Sequence, residues 1–559
     1  MSIRVLIVSL FICASLLLIA APPPNPAGGV IERQIEKEYE AQPLDTERKI
    51  PQIQIDVPKE QLSIPDGTKV FVGRIEIRGN DCILSRDICW ELDSDIHQSQ
   101  SISDIYKLCQ KIEALYASRG YFLARVYPPP QEIKDDVLIL EVLEGRLGKI
   151  RIVGNRHYSE LFILRYFAPL QNKALNYNRF LRALMLLNEN SDLEAGAVLE
   201  KGSRVGTADL IIRVQDKYPV HLYLNGNDYG RFLTTNFRAG GRLDTQLLRD
   251  GDKLSIAEVV GFPIDALYFT DVVYRFPCNA FGTFGELAYL TSRFHVEKIM
   301  YLRQAGRSDI ATVKVSQAIQ RGRFLSTDCF ASFDYKQIKN YTLSHLTSFD
   351  RIRLLTLGST VDYYSPKAGR NYLVVKMGFG LPGIFGGLSD PRPISSREGA
   401  RGNFIKVNAD YDFMKKLPYD SFLVAHASGQ YSFNKLTVPE QIYIGGVDTI
   451  RGFPLASALG DSGYYCNFEL RFPPPGLANS PIGRSQKKWK EFLQFSAFFD
   501  QGGVAYRGGG STFECGTGLG VRINAFWKFA LTAEVGFPLN HRDLSKDAFF
   551  YFKLTGQPF

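Results

Sequence analysis

From about Pro219 to Phe559 the chain carries no helical periodicity and runs in alternating stretches divided by Gly, Asp, Asn and Pro. Leu423, Ala425, Ala427, Gly429 and Tyr431 share one face, with His426, Ser428 and Gln430 on the other. Cys466, Phe468, Leu470 and Phe472 alternate with Asn467, Glu469 and Arg471; Leu519, Val521 and Ile523 with Gly520, Arg522 and Asn524; Leu531, Ala533 and Val535 with Thr532 and Glu534. A period of two is a strand period, and an apolar face backed by a small or charged one is the lipid-out, lumen-in pattern of a membrane barrel. A soluble sandwich, whose apolar face is its core, alternates in the same way. Roughly 340 residues, at about 20 for each strand and its turn, hold about 16 or 17 strands, and bacterial barrels use even numbers.

The composition, 45% hydrophobic and 22% charged, is too polar for a bundle of membrane helices and fits either a soluble protein or a barrel. An aromatic content of 13% suits the girdles of a barrel or an aromatic-rich β-protein. Arg4 precedes an apolar run from Val5 to Ala21 that reads as a secretory signal peptide or a membrane anchor. Both readings take the chain out of the cytoplasm. No other stretch is long and apolar enough to span as a helix, so an integral protein would have to be a closed barrel, which leaves no backbone group unpaired in lipid.

Other classes find little support. The net charge of +8 is spread along the chain without a Lys/Arg run, so no nucleic acid is expected. The eight Cys form no Cys-x-x-Cys pair, so neither zinc nor another metal is expected. Cys13 falls in the leader, and a Cys82–Cys89 or Cys89–Cys109 bridge is open in an oxidising compartment. The seven His are isolated, and His-Glu-x-x-His, Gly-x-Ser-x-Gly and phosphate-loop patterns are absent, so neither enzyme activity nor a cofactor is expected.

Before the alternating region the texture is mixed. Gly28 to Gln42 reads as a helix, with Ile31, Ile35 and Tyr39 four apart, and Pro43 to Pro65 as a polar linker. Lys69 to Asn80 reads as a strand, Ser85 to Leu92 and Ile102 to Ser118 as helices, Tyr121 to Tyr127 and Val137 to Leu143 as strands. Ile105, Leu108, Ile112, Leu115 and Tyr116 share a face of the second helix, which Gly120 ends. The βααββ order then repeats: strand Gly148 to Asn155, helices Tyr158 to Phe167 and Tyr177 to Leu187, strands Ala195 to Lys201 and Ala208 to Asp216. Ile77-Arg78-Gly79-Asn80 and Ile152-Val153-Gly154-Asn155 lie 75 residues apart, a repeat of domain size.

Two stretches inside the alternating region stand out. Gly445 to Phe453 reads Gly-Gly-Val-Asp-Thr-Ile-Arg-Gly-Phe, a loop in which Gly452 permits a tight tip beside Arg451. On the strand Leu493 to Asp500, Gln494, Ser496, Phe498 and Asp500 share the polar face, and Gly502 continues it and leaves room for a close approach. An Arg fork on the loop could grip the Asp500 carboxylate with two charge-assisted hydrogen bonds, and Glu469 or Arg522 could join them. The alternative is that both are ordinary lumen or loop charges paired elsewhere.

Ile450-Arg451-Gly452-Phe453 with the Phe498-x-Asp500-x-Gly502 pattern resembles the paired motifs of the BamA/TpsB superfamily of outer-membrane translocators. The doubled βααββ unit resembles tandem POTRA domains, and Glu144-Gly145-Arg146-Leu147-Gly148-Lys149-Ile150 resembles the domain junction of the two-partner-secretion branch. Asn225 to Gly230, Leu248 to Leu254, Tyr274 to Pro277, Gly460-Asp461 and Glu469-Leu470-Arg471 add weaker matches. The ending Phe550-Tyr551-Phe552-Lys553-Leu554 through Phe559 resembles the strand signal read by the barrel assembly machinery, although Phe559 is out of phase and Pro558 cannot donate to a ladder.

The resemblance implies a multidomain chain: signal peptide 1–21, N-terminal helix and linker 22–66, POTRA domains 67–145 and 146–217, and a sixteen-stranded antiparallel barrel 218–559. The helix is then either a plug inside the barrel or a frayed N-terminal segment. The implied function is export of one large exoprotein, captured unfolded by the POTRA domains and conducted by the barrel. The implied partners are that exoprotein, outer-membrane lipid and the barrel assembly machinery, for a monomer in the outer membrane with its POTRA domains in the periplasm. The rival reading is a factor that inserts other barrels, against which two POTRA domains count, since bacterial members of that branch usually carry more.

Overall fold

The computed structural model describes residues 33–35, 51–56, 69–93, 97–230, 235–296, 303–389, 394–483, 487–524, 528–540 and 548–558. The leader and most of the N-terminal helix lie outside the described residues, as does Phe559.

Strand β1 (Ile53–Asp56) comes first, followed by β2 (Val70–Val72), β3 (Arg74–Arg78), helix α1 (Ser85–Leu92), β4 (Gln98–Gln100), α2 (Ile102–Ser118), β5 (Arg125–Tyr127) and β6 (Val137–Leu143). The single strand expected over Lys69 to Asn80 is broken at Gly73, where the N–H groups of Gly73 and Arg74 both turn to the Asp136 carbonyl. β2 then pairs with β4, while β3, β6 and β5 form a sheet in that order. β5 is shorter than expected because Tyr121 to Ala124 is a turn, closed by Ala124 N–H to the Tyr121 carbonyl. Ser101 and Asp104 make a reciprocal capping box that starts α2. α2 buries Ile105, Leu108, Cys109, Ile112 and Tyr116 against the sheet.

The second unit runs β7 (Arg146–Val153), α3 (Glu160–Phe167), α4 (Tyr177–Leu187), β8 (Leu193–Lys201) and β9 (Thr207–Asp216). Its sheet order is β1-β8-β9-β7, so a strand from the linker lies parallel on the β8 edge, Ile53 opposite Ala197. That strand falls where composition indicated only a linker. The repeat extends to atomic detail. Gly79 and Gly154 both have positive φ, and an added Cβ would meet the Val142 carbonyl at 2.5 Å and the Val214 carbonyl at 2.4 Å. The Asn80 and Asn155 amides donate to the carbonyls three residues on, of Ile83 and Tyr158. Each turn is tied down by a carboxylate: Glu144 accepts from Cys82 N–H, and Asp216 from the N–H groups of Arg156, His157 and Tyr158. All seven described cysteines are free thiols.

The remaining strands are β10 (Val220–Asn227), β11 (Phe237–Thr245), β12 (Lys253–Phe262), β13 (Leu267–Pro277), β14 (Thr283–Val296), β15 (Gln304–Arg321), β16 (Leu325–Thr342), β17 (His345–Ser365), β18 (Gly369–Gly380), β19 (Ile405–Lys416) and β20 (Phe422–Ser432). After them come β21 (Ile442–Ile444), β22 (Ala458–Gly460), β23 (Ser462–Phe472), the helical turn α5 (Trp489–Phe492), β24 (Leu493–Ala505), β25 (Ser511–Asn524), β26 (Phe529–Pro538) and β27 (Phe549–Gly556). All but β21 and β22 close into one antiparallel sixteen-stranded barrel. Leu287, Val313, Leu357, Phe468 and Leu519 are exposed on its outside, as alternation requires of a lipid face. Closure joins β10 to β27 over Leu224 to Asn227 and Lys553 to Gly556.

The second POTRA unit is seated on the turns at one end of the barrel. Ala318 joins its core, Ser159 N–H donates to Asp250 at 2.8 Å, and the Arg182 guanidinium donates to the Ile319 and Phe281 carbonyls at 2.6 and 3.1 Å. Arg321 pairs with Glu189 across the same junction. The loops at the far end lie opposite this seat.

Candidate functional site: a loop latched inside the barrel

Residues 433–461 connect β20 to β23 and fold into the lumen. β21 and β22 pair to make the limbs of a hairpin. At its tip Gly445, Gly446 and Gly452 have φ of 89°, 101° and 95°, conformations that favour glycine. Gly446 N–H bonds the carbonyls of Ile450 and Phe453, which folds the tip back on itself. Ile450 and Phe453 are buried with Ile442, Ile444, Tyr465 and Val504, so the two apolar residues flanking Arg451-Gly452 wedge the tip against the wall.

Arg451 is 5% exposed and Asp500 fully buried. The guanidinium grips Asp500 with both arms, Nε to Oδ2 at 2.8 Å and Nη2 to Oδ1 at 2.9 Å, and the Arg451 backbone N–H adds a bond at 3.1 Å. Its third nitrogen reaches Glu534 at 3.2 Å and Glu469 at 3.5 Å. The guanidinium plane lies over the Phe498 ring, 3.4 Å from its centroid. Glu469 also accepts from Arg471 at 2.8 Å and Arg522 at 3.2 Å. Arg451, Arg471 and Arg522 thus balance Asp500, Glu469 and Glu534, which is how a cluster of charges can persist out of water.

Glu534, Gly516, Gly536 and Tyr551 join the site without a signal in the sequence that places them there. Glu534 was visible as a polar-face residue of its strand, but alternation gives a phase and not a meeting point. The room for the tip comes from glycines other than Gly502. A Cβ on Gly516 would lie 2.0 Å from the Arg451 carbonyl, and one on Gly536 would lie 2.6 Å from the Gly452 nitrogen. Gly502 instead faces Tyr465 on the adjacent strand, where a Cβ would sit 2.7 Å from that residue. Tyr551 of β27 completes the cradle, its hydroxyl accepting from Gly452 N–H at 3.1 Å.

The same loop is held a second time. Glu440, 1% exposed, binds Lys336 of β16 at 2.9 Å and Lys406 of β19 at 2.7 Å. At the loop's exit Asp461 accepts from Arg397 and from the backbone N–H groups of Leu436 and Arg507. The described turn of N-terminal helix touches this part of the loop: Arg33 donates to the Gln441 carbonyl, and Ile35 packs on Val259, Phe269, Leu290 and Phe294 of the inner wall.

A sixteen-stranded barrel with a latched inner loop, preceded by tandem POTRA domains, is the architecture of an outer-membrane translocator. Residues 206–523 match the family described as haemolysin secretion/activation protein ShlB/FhaC/HecB, and residues 70–145 match the POTRA domain, ShlB-type. The chain belongs to the ShlB/FhaC/HecB family, the outer-membrane transporters of two-partner secretion. Among relatives, heme/hemopexin transporter protein HuxB of Haemophilus influenzae is 22% identical over 85% of both chains. Outer membrane transporter CdiB of Escherichia coli strain 536 is 22% identical over 78% of this chain and 75% of its own. The solved structure of CdiB from Escherichia coli superposes with a TM-score of 0.75 at 17% identity, covering 97% of this chain and all of that one. BamA from Haemophilus ducreyi lacking POTRA domains 1–3 shares the fold at a TM-score of 0.50 and 12% identity.

Proposed function

We propose that this transporter captures a large, unfolded exoprotein on its POTRA sheets in the periplasm and passes it in extended form through the barrel. The observation that carries the reading is β1 on the β8 edge: this sheet already accepts a strand from outside its own domain, which is the binding mode an unfolded chain would use. β5 offers a second edge in the first POTRA unit. In this reading β1 holds the β8 edge until cargo displaces it. The N-terminal helix acts as a plug, which the lodging of Ile35 on the inner wall supports. The Arg451 loop bars the lumen at rest and shifts to open it, the Arg451–Asp500 grip being the fastening that is released. Folding of cargo outside supplies direction, and the barrel assembly machinery inserts the protein as a monomer.

The test is cargo export by Arg451→Ala, Asp500→Ala and the exchange Arg451→Asp/Asp500→Arg, with barrel insertion checked in each. We expect the single variants to insert but export poorly, and the exchange to recover part of the activity. Normal export by all three would sink the role given to the pair. Normal export with failure of other barrels to assemble would move the chain to the assembly-factor class.

A further inference from the structure

The outer wall carries a feature that neither the inner loop nor cargo passage uses. Outward-facing residues of β13 to β17 stack in cross-strand rows. The rows Tyr274–Leu287–Val313–Phe333–Leu355 and Val272–Tyr289–Ala311–Tyr335–Arg353 lie on the lipid face. Two rows further toward the end opposite the POTRA seat, the extracellular end in the orientation proposed above, the sequence is Tyr268–Arg293–Arg307–Lys339–Phe349. Three cations thus stand directly opposite one another on adjacent strands, at a spacing where like charges repel. Arg351 stands one row below, opposite Gln337, and Arg351 and Lys339 both lie beside the Phe349 ring.

The wall supplies little to neutralise them. Asp309 binds Arg307 at 2.8 Å and is shared with Tyr289 and Thr291. Among the described residues, no carboxylate pairs with Arg293, Lys339 or Arg351. A loop segment also lies over this wall. Leu381 and Leu388 bond the Arg353 and Arg351 carbonyls, and Arg353 beneath donates to the Phe385 carbonyl at 2.8 Å. Phe385, with a left-handed φ of 46°, sets its ring against Phe333 of the lipid face while remaining 74% exposed. A cationic row with aromatic ends, above an apolar belt and beside an exposed Phe, matches an amphiphile with phosphates at headgroup level and acyl chains below.

We propose that the outer face of β14 to β17 is a binding site for a phosphorylated glycolipid of the outer leaflet, its phosphates bridging Arg293, Arg307 and Lys339. The occupant follows from charge and level: an anion held by all three cations must sit where the hydrocarbon ends, and the apolar rows below continue the same site. The proposal is independent of which cargo is exported.

The test is native mass spectrometry of the full-length protein in detergent, titrated with a bisphosphorylated acylated glycolipid, with the same lipid after enzymatic removal of both phosphates, and with inorganic phosphate. The expected result is retention of the phosphorylated lipid by the wild type and loss of affinity by roughly thirtyfold in Arg293→Gln/Lys339→Gln, the loss of two surface cations. Heat-modifiable migration checks that the variant is folded. If the double variant fails to fold, Lys339→Gln alone should lose about fivefold. Unchanged retention by a folded variant, equal retention of the dephosphorylated lipid, or inorganic phosphate binding as tightly as the lipid would each overturn the proposal.

Discussion

At the scale of single residues the molecule turns on one buried guanidinium. Removing Arg451 leaves Asp500 and Glu534 buried without their shared cation, a loss of about 3–5 kcal/mol. Arg451→Ala should therefore lower the temperature at which the barrel loses its heat-modifiable migration, and Arg451→Lys should restore little, since one ammonium cannot reproduce two parallel bonds and a third to Glu534. A Lys variant as heat-resistant as the wild type would contradict this. Asp216 makes a different case. Burial pushes its carboxyl up, but three backbone N–H donors outweigh that and hold it below its usual 3.8. A depressed folded pKa gives stability that is fully present above 3.8 and is lost as pH falls through the folded value. Hydrogen-exchange protection of the 154–160 turn should drop as the pH falls below 3.8, and Asp216→Asn should remove that dependence. Arg451 and Asp500 were legible because one sits at a glycine-flanked loop tip and the other on the polar phase of a strand. Glu440 was not, because a single Glu in a polar loop carries no sign of the two lysines waiting on β16 and β19.

At the scale of elements, periodicity read well wherever an element buries one face. α2 buries the face its spacing indicated, with Cys109 added and Leu115 only half-buried at its edge. Boundaries slipped where a backbone turn intervenes, as at Gly73 and Tyr121. β1 escaped altogether, because the alternation of Ile53 and Ile55 lasts only four residues between Pro51 and Pro58, in a stretch whose polar, Pro-containing composition reads as a linker. If β1 covers a cargo edge, Gln54→Pro, which removes a backbone donor on the side of that strand facing β8, should raise the affinity of an extended cargo peptide for the full-length protein by roughly tenfold. Calorimetry finding equal affinities would mean that β1 does not compete.

At the scale of the whole molecule, strand number and closure followed from length and alternation, while the distribution of charge did not. A search for Lys/Arg runs finds nothing, because Arg293, Arg307 and Lys339 come from three strands and meet only through register. The seat of the second POTRA unit was equally hidden, since it depends on barrel turns far away in sequence. Arg182→Ala/Glu189→Ala should broaden the distance distribution between spin labels on α3 and on the turn after β15; an unchanged narrow distribution would mean the apolar contact at Ala318 suffices. The space at Gly516 and Gly536 exists only because side chains are missing, so a single methyl group at either position acts as a wedge. A genetic screen for cells that admit large antibiotics should then recover Gly516→Ala and Gly536→Ala beside changes at Arg451 and Asp500, with every charge in the latch intact.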